Sequence, residues 1–491
     1  MKIAALIVEY NPFHNGHLRQ IKAVRKLVGA NGAIIALMSG NFTQRGEISC
    51  LDKFTKAELA INLGVDLVLE LPVQGVLSSA DYFAETAISL IQALKFCDYI
   101  VCGAECEDVR LLQGIARAFY LFQPLIGTSL TAQENNAIQK YLLPAATALP
   151  ILRRQFQTDL QAALKSGINY AEANCNLLFS PTFWPYIAPL FPKQELATTE
   201  LQAAVRYALQ QPNNILAIAY YKAALSADAG AGATAGSGAA LAEKIRILPR
   251  ETGPDLQSAH ALRQLITAAE NSPHRLLNSL IDYLPPISLA TLIKAAQKGT
   301  LMTCEKLQPA LSLAIAAAGL LKDFPDSANL LPTTDFYRKL SAILPDLIAQ
   351  KGSFEFAAKS LSHKGLTVAN CRRKLLRQLL NLPEPDKVTL NRLCSNAQYL
   401  RVLAYSSYPG KSLLKHLSKS IDTPLIMRFS DLVQKQNYIT DAADFAYQSS
   451  SDYRAANYYA LLSQNAAALE QNNYPAPIKR ATKRKKSACS E

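Results

Sequence analysis

No run in these 491 residues can span a bilayer. The most apolar uncharged run, residues 309–321, falls well short of the ~20 residues a spanning helix needs. The amino-terminal residues lack a signal peptide's cleavage site, and Glu9 cuts short their apolar run, so the expected compartment is the cytoplasm. Cysteine is scattered rather than patterned. The nine thiols include no CxxC, and Cys102 and Cys106 have no zinc-spaced partner. That argues against a disulfide framework and a zinc finger, and no metal site is expected in the protein itself. An excess of basic over acidic residues is missing from one part of the chain only. Residues 1–270 hold 22 basic and 22 acidic side chains, whereas residues 271–491 hold 29 basic against 16 acidic, the whole net charge of +13. A neutral first part and a basic second part suggest chemistry in one and polyanion binding in the other.

What is present is a set of alternating periods. Ile3-Ala4-Ala5-Leu6-Ile7-Val8 is a continuous apolar run of the kind a buried parallel strand needs. Leu18, Ile21, Val24, Leu27 and Val28 then recur at helical spacing. Further strands are expected at residues 33–38, 65–71 and 99–102, and a last one at 245–248. Helices are expected near residues 54–63 and 84–94. Repeated strand–helix units imply right-handed crossovers and an α/β fold around a parallel sheet covered on both faces. Ligands of such sheets bind beyond the carboxyl ends of the strands, here residues 8–17, 38–47, 71–79 and 103–105. Residues 226–240 are almost entirely Ala, Gly, Ser and Thr and read as a flexible insertion. Beyond residue 272 the periods are helical almost throughout. Residues 475–491, with Lys479, Arg480, Lys483, Arg484, Lys485 and Lys486, read as a disordered basic tail.

The chemistry concentrates in Glu9-Tyr10-Asn11-Pro12-Phe13-His14-Asn15-Gly16-His17, where the first strand gives way to the first helix. His14 and His17 share a helix face. Gly16 lets a bulky group approach the backbone. A helix N-terminus adds free N–H groups and a positive dipole end. Such a cradle suits adenylyl transfer, in which positioning and charge stabilisation carry the reaction without a protein nucleophile.

His14-Asn15-Gly16-His17 resembles the HxGH signature of the nucleotidylyltransferase superfamily. Wider strings are more specific: Val8 through Leu18, Met38-Ser39-Gly40-Asn41-Phe42-Thr43-Gln44-Arg45-Gly46-Glu47, Asp66-Leu67-Val68-Leu69-Glu70-Leu71-Pro72 and Pro212-Asn213-Asn214-Ile215-Leu216. Together they resemble the bacterial tRNA(Met) cytidine acetate ligase family, densely over residues 1–105 and thinly past residue 270. The resemblance implies a Rossmann-like nucleotidylyltransferase domain at residues 1–270, a mostly helical, basic, tRNA-binding domain at residues 271–474, and the tail. It implies ATP, with Mg²⁺, as substrate, acetate as acyl donor and elongator tRNA(Met) as acceptor, with no membrane and no evident protein partner. Acetyl-adenylate forms first, and the acetyl group then passes to N4 of the wobble cytidine.

Carried over residue by residue, His14 and His17 are the catalytic pair. The ATP contacts are Ile7, Val8, Glu9, Tyr10, Asn11, Pro12, Phe13, His14, Asn15, Gly16, His17, Leu18, Arg19, Gln20, Gly103, Asn213 and Arg246, with Arg250 as the alternative to Arg246. A second phosphate-clamping motif matches Ser258 and Arg263, although His260 stands where the pattern has threonine. Arg45, in the loop after the second strand, can hold a phosphate or the tRNA backbone. Arg372, Arg373, Lys374 and Arg377 sit among leucines at helical spacing and are expected to form a phosphate-facing side. Two rival readings remain: an adenylyltransferase of a small cofactor precursor, which has no need of a long basic second part, and an RNA-binding protein with a degenerate nucleotide site, against which the intact HxGH string argues.

Overall fold

The computed structural model describes residues 1–123, 149–191, 198–230, 240–251, 253–321, 342–348, 353–363, 366–382, 385–431, 441–469 and 478–480. Five parallel strands form its centre: β1 (Ile3–Val8), β2 (Ala33–Ser39), β3 (Leu67–Leu71), β4 (Tyr99–Ala104) and β5 (Ile245–Pro249). They lie in the order β5-β4-β1-β2-β3, as expected for doubly wound crossovers. Successive side chains alternate between the faces. Ala5, Ile35, Leu37, Leu69 and Ile100 point to one core, and Leu6, Ala36, Met38, Val68 and Val101 to another.

Helices α1 (Asn15–Val28) and α2 (Lys53–Asn62) cover one face through Ile21, Val24, Ala57 and Ile61. The other face is covered by α4 (Ala80–Ala93), α5 (Val109–Phe122) and α9 (Pro212–Gly230), which follow the short α3 (Val73–Val76) and precede or flank α6 (Leu149–Lys165), α7 (Tyr170–Leu178) and α8 (Thr198–Gln210). Then come α10 (Ala259–Ala268), α11 (Pro273–Leu280) and α12 (Pro286–Gln297), whose Leu262, Ile266, Leu280 and Leu292 close over Cys50, Leu51 and Leu59. Helices α13 (Phe354–Leu361), α14 (Val368–Leu379) and α16 (Ala442–Leu462) build a further core with Phe42, Ile48, Val73 and Leu77; α15 (Gly410–Ser420) precedes the last of these.

The region past residue 272 is mostly helical, as expected, yet it also supplies strands to the sheet. Strand β6 (Leu400–Ser406) pairs antiparallel with β3, Glu70 opposite Arg401 and Leu67 opposite Tyr405, and β7 (Leu425–Ile426) follows it. The sheet therefore takes strands from both sides of residue 270. The basic tail is not wholly irregular, since β8 (Ile478–Arg480) runs parallel to β6. In the expected insertion, residues 226–230 continue α9, and Asp228 accepts the N–H groups of Leu241 (2.8 Å) and Ala242 (3.2 Å). Residues 231–239 and 481–491 lie outside the described residues.

Candidate nucleotide site

The HxGH string sits at the carboxyl edge of β1. His14 is the N-cap of α1, and its Nδ1 accepts the N–H of Gly16 at 3.1 Å. His17 answers with Nδ1 accepting the N–H of His14 at 3.2 Å. With both Nδ1 atoms used as acceptors, the neutral rings carry their protons on Nε2. The rings stack with centroids 3.7 Å apart, and Tyr10 and Phe13 pack on His17 at 5.0 and 5.4 Å. A Cβ on Gly16 would stand 3.0 Å from His14 Cε1, so the glycine leaves room for this ring.

Electrostatics keeps the pair uncharged. Burial, then the charges of Arg250 and Arg263, push His14 down to about 4. Burial, His14 and Arg250 hold His17 well below the usual histidine range. Two neutral Nε2–H donors beside two guanidinium charges and a helix N-terminus form a site for an anion.

Distant segments hold the string rigidly. The Asn11 side chain donates to Ile48 O (3.2 Å) and accepts from Cys50 N–H (2.8 Å). Glu9, half-buried and raised by desolvation, accepts the Gln44 N–H at 2.7 Å. Lys56 reaches beneath to the carbonyls of Glu9 (3.0 Å) and Ser39 (2.9 Å), and burial pushes it down to about 8. From the second half, Ser288 Oγ donates to Phe13 O (2.7 Å), while Asn15 donates through N–H to Tyr283 O and through Nδ2 to Asp282 O, each at 2.9 Å. Arg19 pairs with Glu251 and Asp255 at 2.8 Å. Ile7 and Val8 lie in β1; Pro12 is buried, and Leu18 and Gln20 are half-buried on α1.

Other expected residues converge here. Gly103 lies one residue before the end of β4 beside open space, where a Cβ would meet nothing nearer than Leu248 O at 3.8 Å. Asn213 donates to Glu105 Oε1 at 2.7 Å; the other carboxylate oxygen accepts the Asn214 N–H at 3.0 Å. Arg263 donates to Asn11 O at 2.7 Å and pairs with Glu47 at 2.5 Å. Ser258 caps α10 by accepting the Ala261 N–H at 3.1 Å, and His260 is exposed. Arg45 is half-buried, close enough for its charge to act on Glu9.

One expectation is corrected, and the two candidate ATP arginines separate in the sheet. Arg246 lies opposite Val101 in the sheet, and its guanidinium lies over Tyr99, at the amino-terminal start of β4. Arg250, whose N–H donates to Ala104 O at 3.0 Å and whose side chain stands 3.7 Å from Glu105, is the arginine at the carboxyl edge. Three residues of strand lie between them, enough to move from one end of the sheet to the other. Nor do Arg372, Arg373, Lys374 and Arg377 form an open basic face. Arg373 and Arg377 are buried. Arg373 donates to Gln44 O at 3.0 Å, and Arg372 pairs with Glu355 (2.6 Å) and Glu47 (3.4 Å). Helix α14 is covered on several sides, so the leucine pattern did not define a wet face.

Sequence reasoning missed Glu47, Lys56, Glu105 and Asn214. Glu47 and Glu105 were at least marked by their place at strand ends, and Asn214 by its place in the string Pro212–Leu216. Lys56 carried no signal, since a lysine in an amphipathic helix ordinarily faces water.

The parallel sheet and the histidine pair at its carboxyl edge define a nucleotidyl-transferring class of protein. The chain belongs to the HIGH Nucleotidyl Transferase family, which it matches over residues 1–148 and 130–473. Among its relatives, the tRNA(Met) cytidine acetate ligase of Halothermothrix orenii is 27% identical over 488 residues, 98% of this chain and 97% of that one. The ligase of the same name from a Geobacillus species is 28% identical over 462 residues, 91% and 94% of the two chains. The fold is also that of Thermotoga maritima TmcAL bound with alpha-thio ATP, at a TM-score of 0.72 and 24% identity over 98% of this chain and 100% of that chain.

Proposed function

We propose that this chain is an ATP-dependent tRNA(Met) cytidine acetate ligase. Acetate oxygen attacks the α-phosphorus of ATP, pyrophosphate leaves, and acetyl-adenylate forms. The N4 amine of the wobble cytidine in elongator tRNA(Met) then attacks the acetyl carbon, and AMP leaves with the loss of one proton from nitrogen. Support for the overall reaction comes from the names of relatives that align over nearly the whole chain. The observation that carries the chemistry is the His14–His17 pair, each Nδ1 committed to a backbone N–H, beside Arg250 and Arg263. Negative charge builds on the phosphates as the α–β bond breaks. Donors already oriented stabilise that charge without reorganising. Acetate arrives ionised, so its attack needs no base. Mg²⁺ comes with the nucleotide and screens the triphosphate.

Acetate-dependent ATP–pyrophosphate exchange tests the first step, and nucleoside mass spectrometry of elongator tRNA(Met) incubated with enzyme, ATP and acetate tests the second. Exchange that ignores acetate, or tRNA without N4-acetylcytidine, would refute the proposal.

A further inference from the structure

Glu47 sits between two arginines from different parts of the chain. Its Oε2 is 2.5 Å from Arg263, the residue read as a phosphate clamp, and its Oε1 is 3.4 Å from Arg372 of α14. All three are mostly buried, with side-chain exposures of 7% for Glu47, 14% for Arg263 and 15% for Arg372. The loop carrying Glu47 is gripped from both directions. On the nucleotide side Glu9 accepts the Gln44 N–H (2.7 Å); on the helical side Arg373 donates to Gln44 O (3.0 Å). Within the loop, Thr43 N–H donates to Glu47 O (3.0 Å), and Glu47 N–H donates to Thr43 Oγ1 (3.3 Å). Arg372 is anchored beyond by Glu355 at 2.6 Å.

We infer that Glu47 is a positioning residue shared by Arg263 and Arg372, and that triphosphate binding passes its charge from the first to the second. The inference rests on the reading of Arg263 as a triphosphate contact. A phosphate reaching Arg263 competes with the Glu47 carboxylate for the same guanidinium. A buried carboxylate that loses its cation is strongly destabilised unless a second cation stands ready. Arg372 is that second cation, within ion-pair distance of the other oxygen. Because Arg372 belongs to α14, nucleotide occupancy and the seating of the carboxyl-terminal helices on this loop are then linked, and linkage works equally in both directions.

The two ends of the relay have opposite signs. Glu47→Gln removes the competitor for Arg263, so ATP should bind more tightly. Arg372→Met leaves Glu47 with Arg263 alone, so ATP should bind more weakly. Coupling through such a network changes affinity by about two- to thirtyfold. Arg372→Lys should recover most of the loss by restoring a cation. The double variant should bind ATP as Glu47→Gln does, because Arg372 has nothing to relay once the carboxylate is gone.

Calorimetric ATP titration of the full-length protein and these four variants reads this out. A merely structural part for these residues predicts the opposite pattern: both single variants weaken binding, and their effects add. The inference is overturned if Arg372→Met binds ATP as the parent does, or if Glu47→Gln weakens binding. The titration needs no acyl substrate, so it stands apart from the acetate dependence of exchange, where failure would count against the proposed reaction instead.

Discussion

At the residue scale the site depends on donors held before the substrate arrives. His17→Ala should lower acetate-dependent exchange by about 10²–10³-fold, the cost of one preorganised donor at developing charge. Exchange within a few fold of the parent would remove His17 from the chemistry. His14 also links the site to pH. Its folded value of about 4 lies below the unfolded ~6.5, so its contribution to stability is present above pH ~6.5 and is lost as pH falls toward 4. Asp452, raised to about 7 by burial and by the charge of Glu70, contributes in the opposite sense, losing stability as pH rises. Comparison with one variant isolates the histidine. Asn caps helices well, so His14→Asn keeps the cap and removes the titration. Between pH 7.5 and 5 the parent should lose up to about 2 kcal/mol more than this variant in urea unfolding. Equal losses would show that His14 does not titrate between the two states.

At the scale of elements, the loop between β2 and α2 joins the nucleotide site to the carboxyl-terminal helices. Phe42 and Ile48 bridge its base, and Gly46 turns its tip with φ +74°. A Cβ on Gly46 would lie 2.6 Å from both Arg372 Cβ and the backbone nitrogen of Arg373. Backbone cannot withdraw as the end of a flexible side chain can. Gly46→Ala should therefore lower stability by about 1–3 kcal/mol from the left-handed conformation alone, with more from the clash. Equilibrium unfolding checks this, and an unchanged midpoint would mean that α14 does not press on the turn as closely as described. The same loop explains why basic residues at 372 and 373 face inward: Glu47 and the Gln44 carbonyl take cations where α14 crosses.

At the scale of the whole molecule, the charge split does not coincide with a structural split. Strand β6 covers the edge of β3, and Ser288, Tyr283 and Asp282 brace the HxGH string from beyond residue 270. A fragment of residues 1–270 leaves Leu67, Val68 and Leu69 on an open edge, a setting prone to strand pairing between molecules. It also uncovers Leu262 and Ile266. Such a fragment should aggregate or lack a cooperative thermal transition by circular dichroism. A cooperative melt together with retained exchange would show that residues 1–270 are self-sufficient.

The parallel sheet was legible because each strand is a short apolar run and each crossover helix has its own period. Those patterns are local and survive without knowledge of partners. The HxGH string was legible for the same reason, since capping and ring stacking occur within residues 14–17. What only the tertiary structure decided lies at long separation. Arg250 rather than Arg246 stands at the carboxyl edge, because strand register sets Arg246 opposite Val101 with its guanidinium over Tyr99. Arg372 and Arg373 turn inward because a loop more than three hundred residues away presents acceptors to them. Strand β6 joins the sheet because β3 offers an unpaired edge. Periodicity states that a residue has a wet or dry side, but the side it takes is settled by which distant segment supplies the partner that makes burying a charge affordable.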